Sequence, residues 1–312
     1  MAARMPTRAS RDGEISVLIP THRRPASLER LLNSLVGQKD ASPFDVIVVD
    51  NDAAQSGEGV VARFLDRLAI TYLTEPVRGL ARVRNRAVAA ASSRFIAFVD
   101  DDEWAAPDWL VTLVSMAKRT GADAVMGAVQ PVFADAVPDF IRSCGLFEDL
   151  PFGDGEILPW YATRTGNALV RREALPHLRA PFSSRLDFVG GEDVQMFKQM
   201  IERGARIVSA RHAVVFEERP VDRINLRWVV RRALRNGGTI VDLLWDDGGG
   251  FKTRSGRALR AGGEAIREAA RVGALWNRDR TRAMRHLVAA CQEAGMVLRV
   301  AGFRVEEYRK HP

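Results

Sequence analysis

The chain has 312 residues, of which 46% are hydrophobic and 27% are charged. This length and composition allow one large α/β domain or two medium ones, and they exclude a metal-stapled miniature, a disordered chain and a low-complexity repeat. The two cysteines, Cys144 and Cys291, stand in no disulfide or zinc spacing, which predicts a cytoplasmic, reducing environment.

The positive net charge of +7 is concentrated in the last fifth of the chain. Residues 251–312 hold 14 basic and 6 acidic residues, whereas residues 1–250 hold 32 and 33. A basic segment of this kind is typical of contact with an anionic surface, and a solvated helical face explains it equally well. No leader-like or membrane-spanning apolar run occurs, so we expect a soluble or peripheral protein, at most on the inner face of the plasma membrane.

In the first half of the chain, short β-rich runs alternate with helical patterns, which predicts an α/β fold with a mostly parallel central sheet flanked by helices. The predicted strands cover 15–20, 46–49, 70–74 and 95–99. The predicted helices between them cover 28–36, 58–68 and 79–91. Polar residues gather after three of these strands, at the edge where open α/β sheets bind ligands.

The second half predicts a helix after Pro107 to about 118, a strand at 124–129, pocket-shaping loops over 131–165, and a strand at 167–171. Further helices are predicted at 193–203 and 222–236. The run Asp246-Asp247-Gly248-Gly249-Gly250 marks a boundary. We therefore expect a flexible N-terminus (1–14), a main domain (15–245) with halves 15–130 and 131–245, and a basic amphipathic helical extension (251–312).

The strongest site signal is the triplet Asp100-Asp101-Asp102 at the end of a predicted strand. Three neighbouring carboxylates repel each other unless a cation or a donor network compensates them. Their hard oxygens suit Mg²⁺ or Mn²⁺, which favours a substrate that brings phosphate oxygens. A cluster of helix-capping carboxylates ahead of Pro107 is the alternative.

Two further groups could carry chemistry. Gly190-Gly191-Glu192-Asp193 opens a helix, where a carboxylate can serve as a general base toward a hydroxyl or simply cap the helix. Arg84 follows Gly79 in a helix whose arginines could hold a diphosphate or face solvent. No dinucleotide-binding or P-loop glycine pattern occurs, which points the α/β pattern toward nucleotide-sugar chemistry.

Five segments, taken in order, resemble family-2 glycosyltransferases of the GT-A fold over about residues 15–240. They are Ile15 to Arg24, Val48 to Asp52, Gly79 to Asn85, Phe98 to Asp102, and Gly191 to Asp193.

The resemblance implies a role for each matching residue. Pro20, Thr21 and His22 and the turn Asp50-Asn51-Asp52 would cradle the nucleoside, with Arg84 near the diphosphate. Asp100 and Asp101 would hold the ribose and sugar, Asp102 would bind the metal with Asp100 beside it, and Asp193 would be the base with Glu192 next to it.

Two positions depart from the family pattern. Asn51 stands where many members carry Asp, which bears on uracil selection. Glu217 and Glu218 follow Phe216 where members often place a His, and His212 is not assigned to that position.

The resemblance therefore implies an inverting, metal-dependent transferase that uses Mg²⁺ or Mn²⁺. It would move a sugar from a nucleotide-diphosphate donor, first of all a UDP-sugar, to a glycan or lipid-linked acceptor, in bacterial polysaccharide or glycolipid assembly. The alternatives are a sugar-phosphate nucleotidyltransferase and a non-catalytic glycan or lipid-phosphate binding protein.

A peripheral membrane contact is a further expectation for residues 251–312. Basic residues from Lys252 to Arg260 would accompany an apolar face formed by Met284, Leu287, Val288, Cys291 and Leu298. Packing of that face on the main domain, or on a second subunit in a homo-oligomer, is the alternative. No nucleic-acid partner is expected.

Overall fold

The computed structural model describes residues 14–133, 137–147, 152–187, 190–245 and 251–305. The predicted flexible N-terminus, apart from Glu14, and the predicted boundary at 246–250 lie outside these ranges. Within them the strands are β1 Ile15–Thr21, β2 Phe44–Asp50, β3 Ile70–Thr74, β4 Phe95–Phe98, β5 Glu103–Ala105, β6 Ala124–Phe133, β7 Ala168–Arg171 and β8 Ile207–Arg219. The α-helices are α1 Pro25–Val36, α2 Glu58–Ala62, α3 Leu80–Ala90, α4 Trp109–Thr120, α5 Asp139–Arg142, α6 Glu192–Glu202, α7 Leu226–Trp245, α8 Phe251–Leu275 and α9 Arg280–Val300.

The described strands form one sheet in the order β3-β2-β1-β4-β7-β6-β8-β5. The four strands from β3 to β4 are parallel, and their register places Thr21, Asp50 and Thr74 side by side at one edge. Continuous apolar runs such as Val46 to Val49 are buried, as expected for parallel strands covered by helices on both faces. The predicted α/β fold with a parallel central sheet is confirmed.

The sheet continues beyond β4 with antiparallel strands. β7 is antiparallel to both β4 and β6, and β5 is antiparallel to β8. The buried Asn167 holds this half together, because its Nδ2 donates to the carbonyls of Ala128 and Ala213, each at 2.7 Å, while its Oδ1 accepts from Trp109 Nε1 at 2.7 Å. An amide with both donors and an acceptor in use is a stable way to bury a polar side chain.

The chain divides into two compact units. Unit 1 comprises residues 1–130, 150–187 and 192–217, and its apolar core lies on both faces of the sheet. Unit 2 comprises 131–149, 188–191 and 218–312, and its core joins residues of α5, α7 and α9.

In unit 2 the apolar side of α9 faces inward. Met284 and Val288 pack with Val229 and Ala233 of α7 in one buried cluster. Met284, Leu287, Val288 and Cys291 of the predicted anchor face therefore pack inside unit 2, where their apolar area is removed from water, whereas Leu298 of the same face is 37% exposed. None of the helices in the described ranges is long and apolar enough to cross a membrane.

Candidate active site

The acidic triplet follows β4 at the carboxyl edge of the parallel strands, all within unit 1. Asp101 accepts hydrogen bonds from Thr21 Oγ1 at 2.9 Å, at the end of β1, and from Arg24 Nη1 at 2.9 Å. The same Nη1 atom lies 2.8 Å from Asp102 Oδ2. Two of the three carboxylates therefore share one arginine at the start of α1.

The carboxylate of Asp101 is buried, which disfavours its charged form. Burial raises its pKa to about 6, with a further contribution from the charge of Asp102, and Arg24 offsets only part of the increase. Because the hydroxyl of Thr21 and the backbone NH of His22 also point at the same carboxylate, Asp101 fixes the β1 end of the site.

Arg84 connects the triplet to the start of α6. Its side chain is only 4% exposed, with Nη2 3.0 Å from Asp100 Oδ1 and Nη1 2.5 Å from Glu192 Oε1. A solvated helix face is thus excluded as the explanation for this arginine. The structure brings together Arg84, Asp100 and Glu192, which lie far apart in the sequence.

The α3 helix that carries Arg84 is fixed at its N-terminus by Asp187. The Asp187 carboxylate accepts from the backbone NH of Ala81 at 2.8 Å and lies 3.2 Å from Arg82 Nε. A negative charge at a helix N-terminus is favourable. Position 79 requires glycine, because a Cβ there would lie 2.5 Å from the Asp187 carboxyl carbon.

The neighbouring carboxylates Glu192 and Asp193 differ in environment. Glu192 is buried, and desolvation together with the charge of Asp193 raises its pKa to about 7 despite the contact with Arg84. Asp193 is half-buried and accepts from the backbone NH groups of Thr165 at 3.3 Å and Val194 at 2.8 Å. Of the two, Asp193 is the one whose carboxylate can be reached from solvent.

Asp50 is turned into the protein. Its Oδ1 accepts from the backbone NH of Asp52, and its Oδ2 accepts from the backbone NH of Gly57 at 2.7 Å and from Tyr72 Oη at 2.8 Å. The side chain is fully buried. Asp50 therefore shapes the turn after β2 instead of offering its carboxylate to a ligand.

Asn51 uses its side-chain amide to hold the loop that leads into α3. Its Nδ2 donates to the carbonyls of Glu75 at 2.7 Å and Val77 at 2.8 Å, and its Oδ1 accepts from the backbone NH of Gly79 at 3.1 Å. An aspartate could not donate either of the first two bonds. The departure from Asp at this position thus has a structural cause in this chain.

The remaining predicted residues of the nucleoside group lie around this turn. His22 is half-buried, and its Nδ1 lies 3.1 Å from the carbonyl oxygen of Asn51. Asp52 has a lowered pKa, chiefly because it accepts from the backbone NH of Ala54 and also because Arg23 is near. Pro20 is buried in β1 beside Val49.

Glu103 was not identified from the sequence, although it directly follows the triplet. Its Oε2 accepts from the backbone NH of Asp100 at 2.8 Å, so it fixes the turn that presents the acidic residues. Burial raises its pKa well above the usual range, and the charges of Asp100 and Glu217 add to the effect. Glu217 lies opposite Glu103 in the β5–β8 register. It stands where the family resemblance predicts a histidine.

Arg24 and Asp187 were also missed as functional residues. Arg24 lies inside the first matched segment, yet only the fold shows that it reaches Asp101 and Asp102. Asp187 contacts residues more than a hundred positions away, and no local pattern signals such a contact.

The oxygen-rich cluster suits a hard divalent cation. Asp100 and Asp102, the predicted ligands, lie at the same edge, and both are partly exposed, with side-chain exposures of 36% and 21%. Desolvation raises the pKa of Asp100, the charges of Asp102 and Asp193 add to this, and Arg84 opposes it. Within the described ranges, no group of three or more His, Cys, Asp or Glu side chains is arranged as a metal site. A cation here would therefore need further oxygens from a bound substrate.

Residues 16–178 match the family model described as Glycosyl transferase family 2. The chain is 32% identical over 300 residues to the succinoglycan biosynthesis protein ExoM of Rhizobium meliloti strain 1021, covering 94% of this chain and 95% of that protein. It is 25% identical over 204 residues to glycosyltransferase AglE of Haloferax volcanii, covering 64% of this chain and 65% of the relative.

Two solved structures show the same fold at low sequence identity. The mannosyltransferase PcManGT from Pyrobaculum calidifontis, in complex with GDP-Man and Mn²⁺, superposes with a TM-score of 0.60 at 18% identity, over 92% of this chain and 89% of that chain. Residues 1–349 of TarS from S. aureus, in complex with UDP-GlcNAc, superpose with a TM-score of 0.57 at 16% identity, over 87% of this chain and 90% of that chain.

Proposed function

The chain belongs to glycosyl transferase family 2, and we propose that it is an inverting, metal-dependent member that transfers a sugar from a nucleotide-diphosphate donor to a hydroxyl acceptor. The observation that supports this most strongly is the pairing of two acidic groups through Arg84. Asp100 and Glu192 both bond this buried arginine, which brings the triplet and the start of α6 to one site.

Asp193 is proposed as the general base. Glu192 is buried and bonded to Arg84, whereas Asp193 is half-buried and accepts hydrogen bonds from the backbone NH groups of Thr165 and Val194. A carboxylate in that setting can accept the proton of an attacking hydroxyl, a role typically worth ~10²–10⁴-fold in rate. Attack from the face opposite the leaving group would invert the configuration at the anomeric carbon.

Mg²⁺ or Mn²⁺ is the proposed cofactor, with Asp102 as the ligand and Asp100 beside it. When bound, such an ion would offset the negative charge that develops on the departing diphosphate. Arg24 and Arg84 pair with the three carboxylates of the triplet and hold them at this edge of the sheet.

The proposed donor is a nucleoside-diphosphate sugar. The named complexes of PcManGT and TarS contain GDP-Man and UDP-GlcNAc respectively, which supports this donor class without selecting the base. Thr21, His22 and the turn at 50–52 would form the nucleoside side. Asp50 acts there through the turn that it fixes, and a UDP-sugar is the first donor to test.

A glycan or lipid-linked acceptor, at the cytoplasmic side of the membrane, completes the proposal. ExoM is named for succinoglycan biosynthesis, a polysaccharide role that supports this acceptor class. Acceptor selectivity would lie in the loops over 131–165 and 180–190.

The experiment that tests this function measures donor hydrolysis and transfer for the wild-type protein and for Asp193→Asn. A panel of UDP- and GDP-sugars with Mn²⁺ should first identify the donor by thermal shift. Asp193→Asn should then still bind this donor while turnover falls by about 10² or more, because the proton acceptor is lost.

Glu202→Gln is the matched control, since Glu202 lies at the other end of α6 and pairs with Lys198. It should keep wild-type turnover. Near-normal turnover in Asp193→Asn would show that the base lies elsewhere, and absence of any donor shift in the wild type would contradict the donor class.

A further inference from the structure

An apolar stripe on α8 faces away from the rest of unit 2. Leu259 and Ile266 are 78% and 74% exposed, and Gly263 and Ala270 are exposed between and after them. These four residues recur at helical spacing and form one face, here called the α8 stripe. Ala261, on the opposite face of the helix, is 3% exposed, so α8 packs through that side and leaves the α8 stripe uncovered.

A row of arginines runs along one edge of the α8 stripe. Arg260, Arg267 and Arg271 are exposed and follow one another along α8 at intervals of seven and four residues. Arg267 and Arg271 also contact Glu264 and Glu268 one turn earlier, but those glutamates lie further from the stripe around the helix. The edge of the stripe is therefore basic.

We propose that the α8 stripe and its arginine row rest on an anionic phospholipid surface. Leu259 and Ile266 would enter the headgroup boundary, while the arginines would contact the phosphates through stems that lie along the apolar region. The charge surplus of residues 251–312 has the sign that this surface requires. A second copy of the chain fits less well in the antiparallel arrangement, because two antiparallel helices packed through the stripe would bring their arginine rows together.

This inference deepens the proposed function, since a lipid-linked acceptor would lie in the same surface. It does not depend on catalysis. Vesicle binding is measured with no donor or acceptor present, so the result is independent of whether transfer itself is observed.

The test is co-sedimentation of the full chain with vesicles of phosphatidylglycerol and phosphatidylcholine in equal parts, compared with phosphatidylcholine alone. We expect binding to the anionic vesicles only, and weaker binding at high salt. Leu259→Gln with Ile266→Gln should lose the apolar contribution, and Arg260→Gln with Arg267→Gln should lose the charge contribution. Each double variant should weaken partitioning by at least about tenfold.

Matched controls place the same substitutions on exposed positions of unit 1. Leu65→Gln with Ile157→Gln removes two exposed apolar side chains, and Arg63→Gln with Arg67→Gln removes two exposed charges. Both controls should sediment like the wild type. Circular dichroism and the unfolding midpoint would verify that every variant is folded.

Three results would overturn the proposal. They are equal recovery of the wild type with both vesicle types, unchanged binding by both α8 variants, and equal loss in the unit 1 controls. A different outcome would assign the α8 stripe to a second copy of this chain. In that case the wild type would not bind vesicles but would self-associate with increasing concentration, and the Leu259→Gln/Ile266→Gln variant would lose this self-association.

Discussion

At the scale of single residues, the site is an arrangement of carboxylates around two arginines. Arg24 forms ion pairs with Asp101 and Asp102, and Arg84 forms ion pairs with Asp100 and Glu192. Burial raises the pKa of several of these acids because charges are expensive to desolvate, and their mutual repulsion adds to the effect.

The raised pKa of Glu192 leads to a prediction on stability and pH. The folded protein holds this proton up to about pH 7, whereas an unfolded glutamate loses it near pH 4.5. Between these values the folded state binds more protons, so the free energy of unfolding falls as pH rises. Glu192→Gln removes that contribution, and its stability relative to the wild type should therefore increase from pH 5 to pH 8, by about 1.4 kcal/mol for each pKa unit of the shift.

Urea unfolding of both proteins at several pH values measures this difference. The prediction concerns how the difference in unfolding free energy between the two proteins changes with pH. Loss of the contact with Arg84 adds a constant amount to this difference and does not affect the trend. Glu173→Gln, at a side chain that is 79% exposed, is the control and should show no such trend. A difference between Glu192→Gln and wild type that is flat across this range would contradict the assigned pKa.

Asn51 gives a second prediction at this scale. Asn51→Asp replaces the amide that donates to the carbonyls of Glu75 and Val77 with a carboxylate that can only accept. We expect a loss of about 1–2 kcal/mol in unfolding free energy and faster amide exchange over residues 75–79. Asn277→Asp, at an exposed turn residue, should be nearly neutral. Unchanged exchange in the 75–79 loop would show that the amide does not hold it.

The sequence locates many of these site residues, but it does not predict which of them contact each other. The acidic triplet, Glu192 and Asp193 are recognisable locally, because strand ends and helix starts have sequence signals. The contact of Arg84 with Glu192 joins residues 108 positions apart, and Asp50 reads as a ligand although three donors of the protein occupy it. Such long-range contacts follow from the register of the sheet, which short patterns do not encode.

At the scale of elements, the predicted strands β1 to β4 agree with the structure to within a few residues, because continuous apolar runs ending in polar turns are a strong signal. β5 escapes prediction because three residues carry no usable periodicity, and its pairing with β8 is non-local. The orientation of β7 was likewise not predicted, since an antiparallel strand of four residues resembles a parallel one in sequence.

Helix α7 differs most from its prediction. The predicted helix covers 222–236 and ends just before Gly237-Gly238, whereas α7 begins at Leu226 and continues to Trp245. The reason is tertiary: a Cβ at Gly237 would lie 1.8 Å from the carbonyl oxygen of Gln292 in α9. Gly295 of α9 faces the backbone of Leu234 in the same way, so glycines on both helices allow the close crossing.

Gly237→Ala should therefore destabilise the protein by about 1–3 kcal/mol, because the added methyl group forces α7 and α9 apart. Gly273→Ala, in α8, is the matched control. A Cβ there meets nothing within 4 Å, and alanine should stabilise that helix by roughly 0.5–1 kcal/mol. Urea unfolding measures both changes. Equal stabilisation by the two substitutions would mean that the helices do not cross at Gly237.

At the scale of the whole molecule, acidic and basic charge are concentrated in different units. The acidic site lies in unit 1, whereas the basic surplus lies in residues 251–312 of unit 2. The family match and the GT-A fold agree with the identification made from five sequence segments, and they favour it over the nucleotidyltransferase alternative. Donor, metal and acceptor depend on loop geometry and on bound groups, which neither the segments nor the fold specify.

The acidic character of the site predicts that metal and nucleotide stabilise the protein together. A nucleoside diphosphate is an anion, and the carboxylates of Asp100, Asp102 and Asp193 repel it unless a divalent cation lies between them. UDP with Mn²⁺ should raise the unfolding temperature by more than the sum of the separate shifts. Saturation at about 100 times the dissociation constant corresponds to about 2.7 kcal/mol, or a shift of several degrees for a chain of this size.

Thermal unfolding with UDP, with Mn²⁺, and with both measures this coupling, and GDP replaces UDP if it is the better ligand. Asp102→Asn should lose the joint shift, because the variant removes the carboxylate proposed to bind the metal while the triplet keeps its other two acids. Asp66→Asn, at a side chain that is 81% exposed, should retain it. A full nucleotide shift in the presence of EDTA would remove the metal from donor binding. A full joint shift in Asp102→Asn would move the metal to other oxygens of the cluster, first of all to Asp100.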